Sequence, residues 1–231
     1  MVKTEMTTTI AHKNELGYGI YTSSDIAQLL GIPRRKVTYY LKNYWDDRLG
    51  KELFNDSYSW QTENGKVKAV NFYVLIELFV CFKLQELGVK PKRILEARKN
   101  IAKDTNTQYP FATSKVLSDN RKIWYEFQDS IIDADGTRQT NFETIIKDYV
   151  NNIDFDKHEQ AIKFYPNGRK SKVVINPHNQ FGQPIIEGTN INAETIYSMY
   201  KSGETLESLT YLYDLNEKSV KDVIAFYQKA A

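Results

Sequence analysis

Five polar side chains share one face of a short helical segment, and they carry the clearest chemistry in this sequence. They are Arg34, Arg35, Thr38, Tyr39 and Lys42. Residues three or four positions apart are neighbours on a helix surface, so this spacing groups them opposite an apolar face. Arg and Lys bind phosphate oxygens, and Arg, Thr and Tyr also hydrogen-bond to other polar groups of DNA. The set therefore predicts contact with DNA, and the alternative is a surface helix whose cations are only solvated.

Two short helices and a tight turn must position these side chains. The first is predicted over Ser24–Leu30, with Thr22 or Ser23 as its N-cap. Gly31 ends it, because glycine adopts the left-handed conformation without steric cost. Pro33 is expected to be the first residue of the second helix, where its missing N–H is no loss. A capped helix, a glycine turn and a helix with a cationic face make a helix-turn-helix.

A β-hairpin is predicted directly after this helix pair. Polar and apolar residues alternate on both sides of Asn64-Gly65, which is the strongest short hairpin signal because a type I′ turn needs positive φ at both central residues. Such a hairpin is the wing of a winged helix. Lys66 and Lys68 are expected to reach the phosphate backbone from it, where cations supply affinity but no sequence information.

The charge is divided unevenly along the chain. The whole chain of 231 residues has a formal charge of +2. Residues 1–104 hold 17 Lys and Arg against 12 Asp and Glu, which is +5, whereas residues 105–231 hold 14 against 17, which is −3. We therefore expect a polyanion to bind the N-terminal part of the chain, residues 1–104.

Several classes of protein fit the sequence poorly. Cys81 is the one cysteine, which excludes an internal disulfide and a cysteine-based zinc site. The most apolar run, Phe72–Phe82, has eleven residues, too few to span a bilayer, and is predicted to be a buried helix. The first 15 residues lack the apolar core of a signal peptide. We expect a cytoplasmic protein that is not membrane-bound.

Catalysis is not expected either. The three histidines, at positions 12, 158 and 178, lie far apart in polar segments, and the common hydrolase and phosphate-loop motifs are missing. Asp133 with Asp135, and Asp154 with Asp156 and Glu159, occur in turn-like sequence, where Asp usually bonds to backbone. The sequence thus predicts no enzyme, no cofactor and no metal site.

The run from Tyr21 to Asn43, YTSSDIAQLLGIPRRKVTYYLKN, resembles the winged-helix DNA-binding domain of MerR-type regulators. The resemblance includes the pair Tyr39-Tyr40, although Thr38 stands where that family usually has an arginine. It implies that the helix pair and the hairpin bind double-stranded operator DNA.

A second resemblance covers the last fifty residues. The spacing Gly-x-Pro-x-x-x-Gly-Thr-x-Ile is followed by three predicted helices, and the segment is similar to a small helical antitoxin-type domain. The residues are Gly182, Pro184, Gly188, Thr189 and Ile191, and the helices are Ala193–Lys201, Leu206–Tyr213 and Glu217–Lys229. Together the two parts resemble antitoxins that pair with PIN-domain (VapC-like) ribonuclease toxins. This implies a homodimer that represses its own operon and neutralises such a toxin.

The predicted fold class is α+β and mostly helical. We divide the chain into a flexible N-terminus (1–17), a winged helix-turn-helix (18–104), a mixed strand and helix element (105–176) and a three-helix, helix-turn-helix-like domain (177–231). In the middle element strands are expected at Thr113–Leu117, Lys122–Phe127 and Ser130–Asp133, a helix at Phe142–Asn151, and a hairpin of Ile162–Tyr165 with Lys172–Ile175.

Two other functions stay open at the level of sequence. One is a stand-alone MerR-like transcriptional regulator that senses a ligand or protein, and the other is a protein-interaction scaffold that never contacts DNA. The operator sequence and the identity of the toxin are not encoded in any motif, and the inhibitory segment is either Lys157–Lys172 or the C-terminal tail.

Overall fold

A computed structural model describes residues 19–45, 59–61, 68–114 and 149–229 of the chain. Helices hold most of the regular structure, and two small antiparallel sheets complete an α+β fold. This confirms the predicted class.

The front part combines four helices with a three-stranded sheet. Its elements are β1 (Tyr21–Thr22), α1 (Ser23–Leu30), α2 (Arg34–Tyr40), β2 (Ser59–Gln61), β3 (Lys68–Val70), α3 (Phe72–Glu86) and α4 (Pro91–Thr105). The strands lie in the order β1-β3-β2. Strands β2 and β3 form the predicted hairpin, with Trp60 opposite Ala69, and β1 adds a third strand through the pair Tyr21 and Val70. The hairpin's turn lies outside the described residues.

Helix α3 is the centre of the molecule. Twelve of its fifteen residues are buried, because α1, α2, α4 and parts of the C-terminal half surround it. Asn71 caps it by accepting a hydrogen bond of 3.0 Å from the Val74 N–H. This confirms the prediction that the apolar run Phe72–Phe82 is a buried helix. Among the described helices, none combines the length and apolar character needed to cross a membrane.

A four-stranded sheet follows in the second half. Its strands are β4 (Ile153–Phe155), β5 (Ala161–Phe164), β6 (Val173–Ile175) and β7 (Pro184–Ile186), in that order and all antiparallel. Strands β5 and β6 confirm the predicted hairpin. The acidic loop expected at Asp154 is partly strand β4, and the extended segment before the last helices contains β7. The strands predicted between 115 and 133, and the helix predicted from Phe142 except 149–151, lie outside the described residues.

The last three helices match their predicted bounds. They are α5 (Ala193–Lys201), α6 (Leu206–Tyr213) and α7 (Glu217–Lys229). Thr205 caps α6 by accepting a bond of 3.1 Å from the Ser208 N–H, and Asn216 accepts one of 2.8 Å from the Ser219 N–H before α7. The first N–H groups of a helix have no partner within the helix, and capping side chains accept their hydrogen bonds. The helix starts could therefore be predicted from the capping residues in the sequence.

One continuous apolar core joins these parts. It extends from Tyr21 and Ile26 through α3 to the buried residues of α7. The rings of Phe79 on α3 and Phe164 on β5 lie 4.7 Å apart between centroids. The helix pair therefore sits on a rigid base that includes the second sheet and the C-terminal helices.

Candidate nucleic-acid interface

Helix α1 begins with a capping box. The Thr22 hydroxyl accepts a hydrogen bond of 3.3 Å from the Asp25 N–H, and the Asp25 carboxylate accepts one of 2.8 Å from the Thr22 N–H. The N-cap is therefore Thr22, one of the two predicted candidates. Gly31 follows the helix with φ +62°, and its N–H and that of Ile32 close the end by bonding to carbonyls of the last turn.

Helix α2 begins one residue later than predicted. Pro33 has φ −55° and ψ 128°, so it is the N-cap and Arg34 is the first helical residue. The difference has little consequence, because the Pro33 carbonyl accepts bonds from the N–H groups of Lys36 and Val37. The fixed φ of proline still directs the chain into the helix.

The two faces of α2 differ sharply in exposure and charge. Val37 and Tyr40 are buried under the helix, together with Leu41 just after it. The opposite side is exposed and holds all five residues predicted to contact DNA, namely Arg34, Arg35, Thr38, Tyr39 and Lys42. Residues 34–45 contain four Arg and Lys and no Asp or Glu. The structure thus brings the predicted set together on one cationic surface.

The paired tyrosines point to different environments. Tyr39 is 53% exposed, whereas Tyr40 is only 6% exposed and its ring lies 4.9 Å from that of Phe82. Burial raises the pKa of Tyr40 well above its usual value. The ring centroid of Tyr44 lies 5.9 Å from that of Tyr39 and 4.8 Å from that of Tyr40. Tyr40 and Tyr44 therefore support Tyr39, which presents its ring to solvent.

A wider, π-type helical turn over 41–45 extends the cationic surface. The Asn43 amide donates a hydrogen bond of 2.9 Å to the Tyr39 carbonyl, and Trp45 is fully buried with the Arg98 guanidinium 5.5 Å from its ring. Single π turns often occur at functional sites. Here the turn keeps Lys42 exposed while Trp45 is buried in the core. No sequence pattern predicted this turn.

The hairpin contributes less than expected within the described residues. Lys68 is half-buried in β3, opposite Gln61, in the described pair of residues that lies nearest the turn. Lys66 lies outside the described residues, and its predicted phosphate contact stays a prediction.

One further cation at this surface was missed by sequence reasoning. Lys229, at the end of α7, lines an open cleft of about 420 Å³ together with Arg34 and the α1–α2 turn at Gly31. The two cations are 195 positions apart in sequence. Only the folding of α7 against the helix pair reveals their proximity.

The described residues contain no cluster of three or more His, Cys, Asp or Glu side chains arranged to hold a metal. Cys81 is buried in α3, and burial raises the pKa of its thiol, which keeps it protonated and unreactive.

Comparison with known proteins adds information on the fold. The family described as "Protein of unknown function (DUF433)" matches residues 173–227, from β6 to α7. The crystal structure of Rv2018 from Mycobacterium tuberculosis is similar with a TM-score of 0.68 and 15% identity, over 88% of this chain and 96% of that one. No curated protein sequence matches. At this identity the structural similarity concerns the fold alone.

Proposed function

We propose that this chain is a cytoplasmic DNA-binding antitoxin, which acts as a homodimer. It represses its own operon through a MerR-like winged helix and neutralises a PIN-domain ribonuclease toxin by direct binding. The observation that carries the DNA-binding part is the outer face of α2, where the five predicted residues are all exposed. The antitoxin part rests on the resemblance of the segment around Gly182 and Pro184.

The arrangement of α2 suits insertion into the major groove. Its buried side is anchored to α3 by Val37 and Tyr40, so the exposed side needs little ordering on binding. Arg35 and Lys42 on that side supply charge for phosphates, and Arg35 also suits bidentate contact with guanine. The net negative charge of residues 105–231 disfavours DNA over most of that part, so we expect the contact surface to be the N-terminal part, with Lys229 at its margin.

A gel shift with the DNA upstream of the chain's own gene tests the first part. We expect Arg35→Ala combined with Lys42→Ala to abolish the shift, because both side chains lie on the exposed face of α2. Lys157→Ala is the matched control, since Lys157 is an exposed cation in the β4–β5 turn. Unchanged binding by the double variant would show that α2 is not the recognition helix.

Co-expression tests the second part. The proposal expects a PIN-domain ribonuclease to be encoded beside this gene; the chain is expressed together with that neighbour, and growth is scored. We expect growth to be restored by the wild-type chain and also by the DNA-binding double variant, because the two activities use different surfaces. A soluble chain that never restores growth would refute the antitoxin assignment and favour a stand-alone regulator.

A further inference from the structure

The outer face of α6 combines exposed aromatic and apolar side chains with several carboxylates. Tyr211 is 88% exposed and Leu212 is 57% exposed, and Tyr200 on the neighbouring α5 is 37% exposed. A single exposed apolar residue is ordinary on a protein surface. Three of the six large apolar residues that are exposed in the described part of the chain lie on these two helices, which makes the face distinctive.

Carboxylates flank this group on α6 and at its two ends, and one of them, Glu217, pairs with Lys221 of α7 at 2.7 Å. Residues 204–217 contain Glu204, Glu207, Asp214 and Glu217 and no Lys or Arg, and all four are exposed. Lys201 precedes the segment, with its ammonium 6.0 Å from the ring of Tyr197. The face is therefore acidic as well as aromatic.

The backbone below this face is held firmly. Leu209 is fully buried against α5 and α7, and Thr205 caps the start of α6. At the other end the Tyr213 hydroxyl lies 3.0 Å from the Met199 sulfur on α5. A rigid helix loses little conformational entropy on binding, which suits a preformed interaction surface.

An open groove of about 590 Å³ runs beside Tyr211. Glu207 and Ser208 line it on one turn of α6, and Leu215 also lines it. A carboxylate beside a tyrosine ring suits a guanidinium, which pairs with the carboxylate and stacks on the ring. The groove therefore has room and chemistry for an arginine side chain.

We infer that the α6 face, defined by Tyr211, Leu212, Glu204, Glu207 and Asp214, docks onto the cationic RNA-binding surface of the ribonuclease partner. The inference rests on the proposed antitoxin function, and it names α6 as the inhibitory surface in place of the two segments expected from sequence, Lys157–Lys172 and the C-terminal tail. A ribonuclease must present Lys and Arg to RNA phosphates. Carboxylates at 204, 207 and 214 oppose those cations, and the Tyr211 ring stacks on a partner guanidinium that pairs with Glu207. Bound in this way, the chain excludes RNA from the partner.

The test measures binding between the purified full-length chain and the PIN-domain ribonuclease that the proposed function expects beside its gene. We expect Tyr211→Ala with Leu212→Ala to weaken binding at least about tenfold, since exposed aromatic anchors dominate interfaces. Glu207→Lys should slow association several-fold and flatten its dependence on salt. RNA cleavage by the partner should become resistant to inhibition by both variants.

Two matched controls separate this surface from general effects. Tyr39→Ala removes another exposed tyrosine and should weaken DNA binding but leave toxin binding unchanged. Glu96→Lys reverses an exposed charge on α4 and should leave association unchanged. Because Tyr211 and Leu212 are exposed, their replacement by alanine keeps the core intact, and the thermal midpoint confirms folding.

The outcomes are distinguishable. If the wild-type chain does not bind the PIN-domain protein, the proposed function fails and this inference fails with it. If the wild type binds while the α6 variants bind equally well, only this inference is overturned. If the α6 variants change the chain from dimer to monomer without the toxin, the face is an interface between copies, and the inference is again overturned.

Discussion

Gly182 packs directly against Tyr21, across the boundary between the two resemblances found in the sequence. Gly182 has φ +82°, and a Cβ built there would overlap the Tyr21 hydroxyl and lie 2.9 Å from the Gly19 Cα. The Ile20 N–H donates a hydrogen bond of 3.3 Å to the Phe181 carbonyl beside it. The first glycine of the C-terminal motif is thus required for contact with the strand that begins the helix pair.

Replacing Gly182 with alanine should therefore destabilise the whole fold. The left-handed conformation costs a non-glycine residue about 1–2 kcal/mol, and forced packing in a core costs about 1–3 kcal/mol more. We expect the free energy of unfolding to fall by roughly 2–5 kcal/mol in urea denaturation.

Gly188→Ala is the matched control for this prediction. Gly188 has φ +80° but nothing within 4 Å of a Cβ. Gly188→Ala should therefore lower the free energy of unfolding only by the cost of the left-handed conformation, about 1–2 kcal/mol. Tyr21→Phe removes a buried hydroxyl that has no hydrogen-bond partner among the described residues, and it should recover part of the loss in Gly182→Ala. Equal losses at both glycines would contradict the role given to Tyr21.

The buried ion pair between Glu77 and Arg98 gives a second prediction. Their atoms Oε2 and Nε lie 2.5 Å apart, and both side chains have no exposed area. The Phe111 N–H bonds to the other Glu77 oxygen at 2.8 Å, and the Arg98 guanidinium bonds to the Gln108 carbonyl at 2.6 Å. Burial raises the pKa of Glu77, while the charge and hydrogen bond of Arg98 lower it.

Glu77→Ala should lower the free energy of unfolding by about 3–5 kcal/mol, because it leaves the Arg98 charge buried without its carboxylate. Glu86→Ala is the control: the Lys83–Glu86 pair is at the surface, where such pairs contribute at most about 1 kcal/mol. Replacing both partners, by Glu77→Leu with Arg98→Met, should lower the free energy of unfolding by less than Glu77→Ala alone. Chemical denaturation decides, and a Glu77→Ala variant as stable as Glu86→Ala would refute the argument.

The local elements of this fold were readable from sequence, whereas its long-range contacts were not. Capping residues such as Thr205 and punctuating glycines such as Gly31 act within a few positions, so the bounds of α1 and of the last three helices were predicted closely. Long-range contacts form only after the helices and sheets assemble, as between Glu77 and Arg98 or between Tyr21 and Gly182. The face of α2 was predictable because helical spacing alone defines it, but Lys229 joins its margin through tertiary packing.

Glu187 gives a prediction on pH. Its carboxylate accepts a hydrogen bond of 2.8 Å from the Lys172 ammonium and one of 3.1 Å from the Tyr165 hydroxyl. The Lys172 bond chiefly lowers the pKa of Glu187, partly opposed by burial. A folded-state pKa below the unfolded value of about 4.3 means that the folded chain binds fewer protons near that pH.

The contribution of Glu187 to stability is therefore present above pH of about 4.3 and is lost as the pH falls through the folded-state pKa. Glu187→Gln should be less stable than the wild type at neutral pH, and the difference should disappear in acid. Lys172→Met should return the pKa of Glu187 towards its usual value in an NMR titration, whereas Lys170→Met should not. A pKa of Glu187 unaffected by Lys172→Met would disprove the assigned cause.

The salt dependence of DNA binding counts the phosphate contacts that α2 makes. Each phosphate contact that is lost should reduce the slope of log K against log salt concentration by about 0.9. Lys42→Ala should therefore flatten the slope by about this amount, because Lys42 is exposed on the outer face. Lys157→Ala is the control: Lys157 is an exposed cation in the β4–β5 turn, outside α2, and its loss should leave the slope unchanged.

Arg35→Ala should differ from both lysine variants in its effect on sequence choice. An arginine that pairs with a base edge adds discrimination of about 1–3 kcal/mol, whereas a phosphate contact weakens all sequences equally when it is lost. Binding is measured by fluorescence anisotropy on the operator and on a scrambled duplex, from low to moderate salt. If Arg35→Ala weakens both duplexes by the same factor, α2 contacts only the backbone, and sequence must be read elsewhere on the chain.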